Sequence, residues 1–255
     1  MQLTGFKGRT AVVTGAAGGI GLALVTLLRA AGSLVVATDL TAALADKQDE
    51  DGLSWQALDV SDASATETLF AKATRDFGPI GLVIHAAGTL SNMPILQTTP
   101  QEWSRVSRIN NDGTFHVLRT AGQAMCPQRK GAIVVIGSNA GGIPRHRMAS
   151  YAASKAAAAM LTRCAGLELA EFGIRCNLVA PGSTLTPMQT GMWADERGAE
   201  KVIAGDLATF RTGIPLGKLA TPVDIAQAAM FLLSDQAGHI TMADLYVDGG
   251  ATLRA

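Results

Sequence analysis

The sequence predicts an α/β protein, with seven parallel strands in one doubly wound sheet, helices on both faces, and a single domain over 1–255. Three observations predict it. From residue 10 onward, short β-branched runs alternate with longer segments of helical period. The runs are apolar almost throughout, which suits strands buried on both faces. A glycine-rich turn also follows the first run and leads directly into a helical segment.

The elements follow in order. The first strand is TAVVT (10–14), and a helix over 19–31 carries Leu22, Val25, Leu27 and Leu28 before Gly32. SLVVATD (33–39) and SWQALDV (54–60) are the next strands, followed by a helix over 63–77 that stops at Gly78. IGLVIHA (80–86) precedes a helix over 100–126, and GAIVVIG (131–137) precedes one over 150–172 that meets Gly173. Glycine is expected after each of these helices because it takes the left-handed conformation cheaply. GIRCNLVAP (173–181) is the sixth strand and ADLYVD (243–248) the seventh. The helix over 222–234 opens with Thr221 and Pro222, a cap and then a first-turn proline. The segment 182–220 shows no clear period and is expected to be an irregular substrate-binding lid.

Charge and composition narrow the partners. Over 255 residues, 48% are hydrophobic and 16% charged, enough apolar mass for a sizeable core. Lys+Arg and Asp+Glu are 21 each, so no charge excess recommends nucleic acid or an anionic membrane. The expected partners are a small-molecule substrate and further copies of the chain. No apolar run reaches the length of a membrane span. The opening MQLTGFKGRTAVV lacks the layout of a secretion signal, which predicts a cytoplasmic protein. Cys126, Cys164 and Cys176 are odd in number, have no metal-ligand spacing, and are expected to be reduced core thiols; no metal is expected.

The turn Thr14-Gly15-Ala16-Ala17-Gly18-Gly19-Ile20-Gly21 carries the first chemical signal. A helix start presents unpaired N–H groups and a positive dipole end, and glycines let a pyrophosphate approach the backbone. Asp39 ends the second strand, 18 residues past Gly21, where a carboxylate accepts ribose hydroxyls and repels a 2′-phosphate. No Lys or Arg stands between 14 and 21 or beside Asp39, so NAD is expected rather than NADP.

Tyr151 and Lys155 carry the second signal. Four residues apart, they share one helix face, and a fixed cation near a phenol favours phenolate. Ser138 ends the fifth strand, at the sheet edge where open α/β folds bind ligands, and its hydroxyl can hold a substrate oxygen.

Together these motifs resemble the short-chain dehydrogenase/reductase family, a Rossmann-fold family, over essentially the whole chain. TGAAGGIG (14–21), Asp39, Asp59-Val60, HAAG (85–88), Asn110, Ser138, Tyr151-xxx-Lys155, PGSTLT (181–186) and VDGG (247–250) carry the resemblance. It implies a catalytic tetrad of Asn110, Ser138, Tyr151 and Lys155, with Asn111 as the fallback for Asn110. It also implies cofactor contacts from Gly15, Gly19, Ile20, Gly21, Ala87, Gly88, Pro181 and Gly182, with Asp59 and Val60 near adenine and Thr184 and Thr186 near the nicotinamide. His85 stands where the family usually has Asn, and is expected to be packed or hydrogen-bonded core. A homotetramer is the family's common assembly.

A narrower likeness, carried by Ile143-Pro144-Arg145, Met148, GLELA (166–170), Met188-Gln189, Trp193 and GIPLGK (213–218), is to a branch that oxidises a ring hydroxyl of a cyclohexadiene carboxylic acid. Such a substrate needs a cation for its carboxylate. Arg145 is the first candidate and Arg147 the second, with Met188 and Gln189 as ring contacts. A sister dihydro-hydroxyanthranilate dehydrogenase, a 3-oxoacyl thioester reductase and a dinucleotide sensor are the alternatives; the retained Tyr151 and Lys155 disfavour the sensor.

Overall fold

The computed structural model describes residues 2–253 and places their seven strands in one parallel sheet. The strands are β1 (Thr10–Thr14), β2 (Leu34–Asp39), β3 (Leu53–Ala57), β4 (Ile80–His85), β5 (Gly131–Ile136), β6 (Ile174–Pro181) and β7 (Asp244–Val247). Their spatial order is β3-β2-β1-β4-β5-β6-β7. The chain therefore builds outward from β1 in one direction and from β4 in the other. Between those two strands the connections diverge and leave a crevice at the carboxyl edge.

Helices α1 (Gly19–Ala30), α2 (Ala63–Phe77), α3 (Pro100–Ser107), α4 (Gly113–Met125), α5 (Ala149–Leu169), α6 (Pro187–Thr190), α7 (Gly198–Ala204) and α8 (Pro222–Leu233) complete the layers. One core lies between the sheet and α1 and α8, with Leu24, Leu28, Ile84, Ile225 and Leu233 buried. The other holds Phe70, Val83, Val117, Met125 and Ala159 against α2, α4 and α5. Two covered faces explain why the strands are apolar on both sides. Thr221 and Asp224 cap α8 reciprocally, Asp224 N donating to Thr221 Oγ1 at 3.2 Å and Thr221 N to Asp224 Oδ2 at 2.7 Å. Gly32, Gly78 and Gly173 have φ of 82°, 83° and 69°.

The structure corrects several sequence expectations. The expected helix 100–126 is two helices joined through a single turn of π-helix, Arg108–Asp112, which contains Asn110. The helix expected over 150–172 ends its regular part at Leu169 and tightens into a 3₁₀ turn over Ala170–Phe172. β3 stops at Ala57 rather than residue 60, because the chain there turns toward the Asp62 cap of α2. Cys176 is buried and Cys126 half-buried, but Cys164 is exposed. It lies two residues from both Thr162 and Gly166, which α5 buries, and so faces away from the core. The segment 182–220 is not irregular throughout: it holds α6, α7 and a 3₁₀ turn over Leu207–Thr209. Its ends are pinned together, Leu185 N donating to Ala220 O at 2.8 Å and Ala220 N to Ser183 O at 3.1 Å. That closure ties both ends of the segment to one point at the sheet edge.

Candidate active site

A cavity of about 460 Å³ opens at the carboxyl ends of β1, β4 and β5 and is roofed by the segment 182–220. Its floor is the glycine turn after β1. A Cβ on Gly15 (φ 66°) would lie 2.6 Å from Ala87 N, and one on Gly21 would lie 2.0 Å from Gly15 O, so neither position accepts a side chain. This packing brings the β1 turn against the β4 end, with Ala87 N donating to Thr14 Oγ1 at 3.3 Å. Gly18 caps α1 with no side chain, and no acid occupies the first turn. The first-turn N–H groups and the positive helix end therefore face the cavity uncovered.

Asp39 closes this cradle. Its Oδ2 accepts Ala17 N at 3.0 Å and its Oδ1 accepts Leu40 N at 2.8 Å, so the carboxylate is fixed beside the glycine turn. Each oxygen keeps acceptor capacity for a ribose hydroxyl. Gly15, Gly19, Ile20, Gly21, Gly88, Pro181, Gly182, Thr184 and Thr186 line the cavity, whereas Ala87 packs behind Gly15. Asp59 and Val60 lie further along the sheet edge beyond β3, where Leu58 N donates to Asp39 O at 2.8 Å. A side-chain-free cradle, an exposed helix start and a fixed carboxylate fit a nicotinamide dinucleotide.

Ser138, Tyr151 and Lys155 all reach the cavity wall. Ser138 Oγ accepts Ala140 N at 3.1 Å, which sets its rotamer at the end of β5. Its hydroxyl also hydrogen-bonds the Tyr151 phenol and holds that phenol down, but burial outweighs this and pushes it above the ordinary tyrosine value. Here the structure differs from the sequence expectation of a phenol lowered by Lys155. Lys155 is 8% exposed, donates to Ile136 O at 3.0 Å, and burial pushes its ammonium down to about 8.

Asn110 is not in the cavity lining. Its Oδ1 accepts Thr89 N at 2.8 Å, and its Nδ2 donates to Thr89 O and to Ser154 Oγ, both at 2.9 Å. Ser154 Oγ in turn donates to Tyr151 O at 2.7 Å. The π-turn thus straps the loop after β4 to the helix that carries Tyr151, and π-turns recur at functional sites. Asn110 Oδ1 and Lys155 Nζ each lie 3.3 Å from the point where a Gly88 Cβ would stand, so Gly88 leaves the space between them open. Asn111 is half-buried with an unpartnered Oδ1. His85 is core, as expected: it is 2% exposed and its Nδ1 pairs with Thr14 Oγ1 at 2.8 Å. Among the described residues its Nε2 has no partner, and burial, with a smaller contribution from the Lys155 charge, pushes the imidazole down to about 3.

The far end of the cavity carries the substrate candidates Arg145, Met188 and Gln189, together with Arg147, which is exposed with φ 63°. Among the lining residues to which the sequence gives no contact role are Met192, Trp193 and Arg211. Trp193 fits because Gly198 lacks a side chain; a Cβ there would stand 2.2 Å from the indole. Arg211 adjoins GIPLGK in a stretch with no periodicity, and only the folded loop brings it to the cavity. Ser154 was within the YAASK motif but gave no sign that it couples Asn110 to Tyr151.

A family model described as "Enoyl-(Acyl carrier protein) reductase" matches residues 15–252. A Bacillus subtilis (strain 168) protein, "2,3-dihydro-2,3-dihydroxybenzoate dehydrogenase", is 48% identical over 259 residues, covering 99% of each chain. A Vibrio cholerae protein, "Vibriobactin-specific 2,3-dihydro-2,3-dihydroxybenzoate dehydrogenase", is 42% identical over 95% of each chain. The crystal structure of gox2181 superposes with a TM-score of 0.87 at 32% identity, covering 97% of each chain.

Proposed function

The chain belongs to the short-chain dehydrogenase/reductase family, and from that premise we propose that it oxidises the C3 hydroxyl of 2,3-dihydro-2,3-dihydroxybenzoate, with NAD as acceptor, to give 2,3-dihydroxybenzoate for catechol siderophore biosynthesis. The 48% identity, over an alignment that covers 99% of each chain, carries this reading. It includes a cytoplasmic homotetramer. No described helix is long and apolar enough to cross a membrane.

Bound in the glycine cradle, NAD supplies a two-electron acceptor for the hydride on the substrate carbon. Gly15, Gly19, Ile20 and Gly21 would hold its pyrophosphate end and Asp39 its adenosine ribose, with Asp59 and Val60 toward the adenine, Pro181, Gly182, Thr184 and Thr186 toward the nicotinamide, and Ala87 and Gly88 contributing from the end of β4, Gly88 beside Lys155. Tyr151, as phenolate, takes the proton of the C3 hydroxyl while Ser138 fixes its oxygen. Lys155 compensates the phenolate charge and holds ribose hydroxyls, and Asn110 positions the loop and helix around them. Loss of that proton and of the C3 hydride yields a ketone, which tautomerises to the aromatic catechol. Aromatisation makes the oxidative direction strongly favourable.

The test is a panel of dihydrodiol and amino-alcohol cyclohexadiene carboxylates offered with NAD, read as NADH absorbance. The dihydrodiol carboxylate is expected to give the highest kcat/KM. Preference for an amino-alcohol ring overturns the substrate assignment.

A further inference from the structure

Arg145 and Arg211 face the same cavity from two separately supported elements. Arg145 belongs to the loop between Ser138 and α5, and Arg211 to the loop 182–220. Both are half-buried, and burial first, then the Arg211 charge, pushes the Arg145 guanidinium down. Among the described residues, neither side chain makes a hydrogen bond or ion pair. The carboxylates nearby are engaged elsewhere. Asp248 accepts Asn139 Nδ2 at 3.2 Å and Gly250 N at 3.0 Å. Asp206 accepts Thr209 Oγ1 at 2.7 Å and Ala208 N at 3.0 Å, with only longer-range attraction from Arg211 and His146.

The backbone at Arg211 is firmly placed. Its N–H and C=O pair with the backbone of Asp206, both at 2.9 Å. A Cβ on Gly205 would lie 2.4 Å from Arg211 O, and one on Gly213 would lie 2.5 Å from Ile203 O, so the two limbs of this loop touch through glycine. Two unpaired guanidiniums held at one cavity end, in a protein of zero net charge, form a site for an anion.

We propose that Arg211 is a specificity-determining residue, forming with Arg145 a two-guanidinium clamp for the ring carboxylate of the substrate; this rests on the function proposed above. The bound carboxylate lowers the repulsion between the two cations and ties the loop 182–220 to the rim that carries Ser138. Substrates without a carboxylate leave that repulsion in place.

The test pairs turnover with binding. Arg211→Met and Arg211→Lys are compared with wild type on 2,3-dihydro-2,3-dihydroxybenzoate and its methyl ester at saturating NAD, and the affinities for 2,3-dihydroxybenzoate and catechol are measured by calorimetry. Arg211→Met should raise the KM for the acid about 30-fold with a much smaller change in kcat, leave the ester within about threefold, and remove the preference for dihydroxybenzoate over catechol. Arg211→Lys should recover part of the acid affinity. The Arg145→Leu/Arg211→Met double variant should lose less than the product of the single losses, because both act on one carboxylate. Unchanged acid KM and unchanged dihydroxybenzoate affinity in Arg211→Met overturn the clamp and leave the proposed function standing. Absence of turnover in wild type, with dihydroxybenzoate affinity still dependent on Arg211, overturns the function and leaves the clamp.

Discussion

The Lys155 ammonium stands 5.9 Å from the centre of the Tyr151 ring, one turn further along α5. Burial pushes the two groups in opposite directions, the phenol up and the ammonium down, because each disfavours its own charged form. The Ser138 hydroxyl is the third member of this group, and its hydrogen bond to the phenol is the contact that works against the burial.

Tyr151→Phe removes the atom that exchanges the proton. Turnover is expected to fall by about 100- to 10,000-fold, with NAD affinity within about twofold of wild type. In wild type, kcat/KM should rise with pH with a log slope of about one as the phenol ionises, and the residual activity of the variant should lack that slope. Steady-state NADH production across pH, with calorimetry for NAD, measures both. Retained turnover in the variant removes Tyr151 from the mechanism.

Lys155→Met should stabilise the protein while abolishing activity. The folded-state value of Lys155 is depressed from 10.5 to about 8, so the native state carries a penalty at neutral pH that disappears as pH rises from 8 through 10.5. At pH 7 that penalty is about 3 kcal/mol, partly offset by the hydrogen bond to Ile136. Urea melts at pH 7 and pH 10 should show the variant's advantage shrinking at the higher pH. A gap independent of pH contradicts a buried, strained ammonium.

His85 sets an acid limit. Its folded-state value, depressed from 6.5 to about 3, means that the unfolded chain binds a proton the native protein refuses. Stability present above pH 6.5 is lost as pH falls toward 3, by up to roughly 5 kcal/mol. In His85→Asn, chemical melts over this interval should show a flatter dependence on pH, whatever the absolute stability. Parallel curves for the two proteins place the acid sensitivity elsewhere.

Much of this was legible because it depends on local rules. The glycine turn, Asp39, Ser138 and the Tyr151/Lys155 spacing each follow from one element's geometry, and the structure brings all of them to one sheet edge. What the sequence hid is tertiary. The π-turn at Asn110 interrupts what reads as one long helix, and no proline in 101–125 marks it. The burial that raises Tyr151 is tertiary as well, since the residue lines a cavity assembled from separate parts of the chain. Arg211 stands 66 residues past Arg145, and only the pinned ends of the loop return it to the same cavity.

Asp39→Ser should relax cofactor choice, and the structure adds a second effect. The carboxylate that repels a 2′-phosphate also accepts Ala17 N, so the substitution loosens the glycine turn. The ratio of NADP to NAD turnover should rise about tenfold or more, while the KM for NAD also rises. Wild-type turnover should be strongly biased to NAD. Equal use of the two cofactors by wild type contradicts this assignment of Asp39.

Arg145→Leu tests the substrate anchor from the fixed side of the cavity. The guanidinium is half-buried and already destabilised by burial and by Arg211, so a carboxylate there gains a partner whose charge is poorly solvated. Removing it leaves the substrate anion against an apolar side chain, with Arg211 as its remaining cation. The expected loss is about 2–4 kcal/mol of transition-state binding, or roughly 30- to 1000-fold in kcat/KM. NAD affinity should hardly change, because the cofactor cradle lies toward Gly15 and Asp39. Arg145→Lys should recover only part of the loss, since an ammonium lacks the planar fork. An amide of the substrate should be poor for wild type and lose little more in the variant, which separates a charge effect from a change in cavity shape. Near-normal kcat/KM for the acid in Arg145→Leu moves the carboxylate away from this rim, and the same assay on Arg147→Leu and then Gln189→Leu locates it.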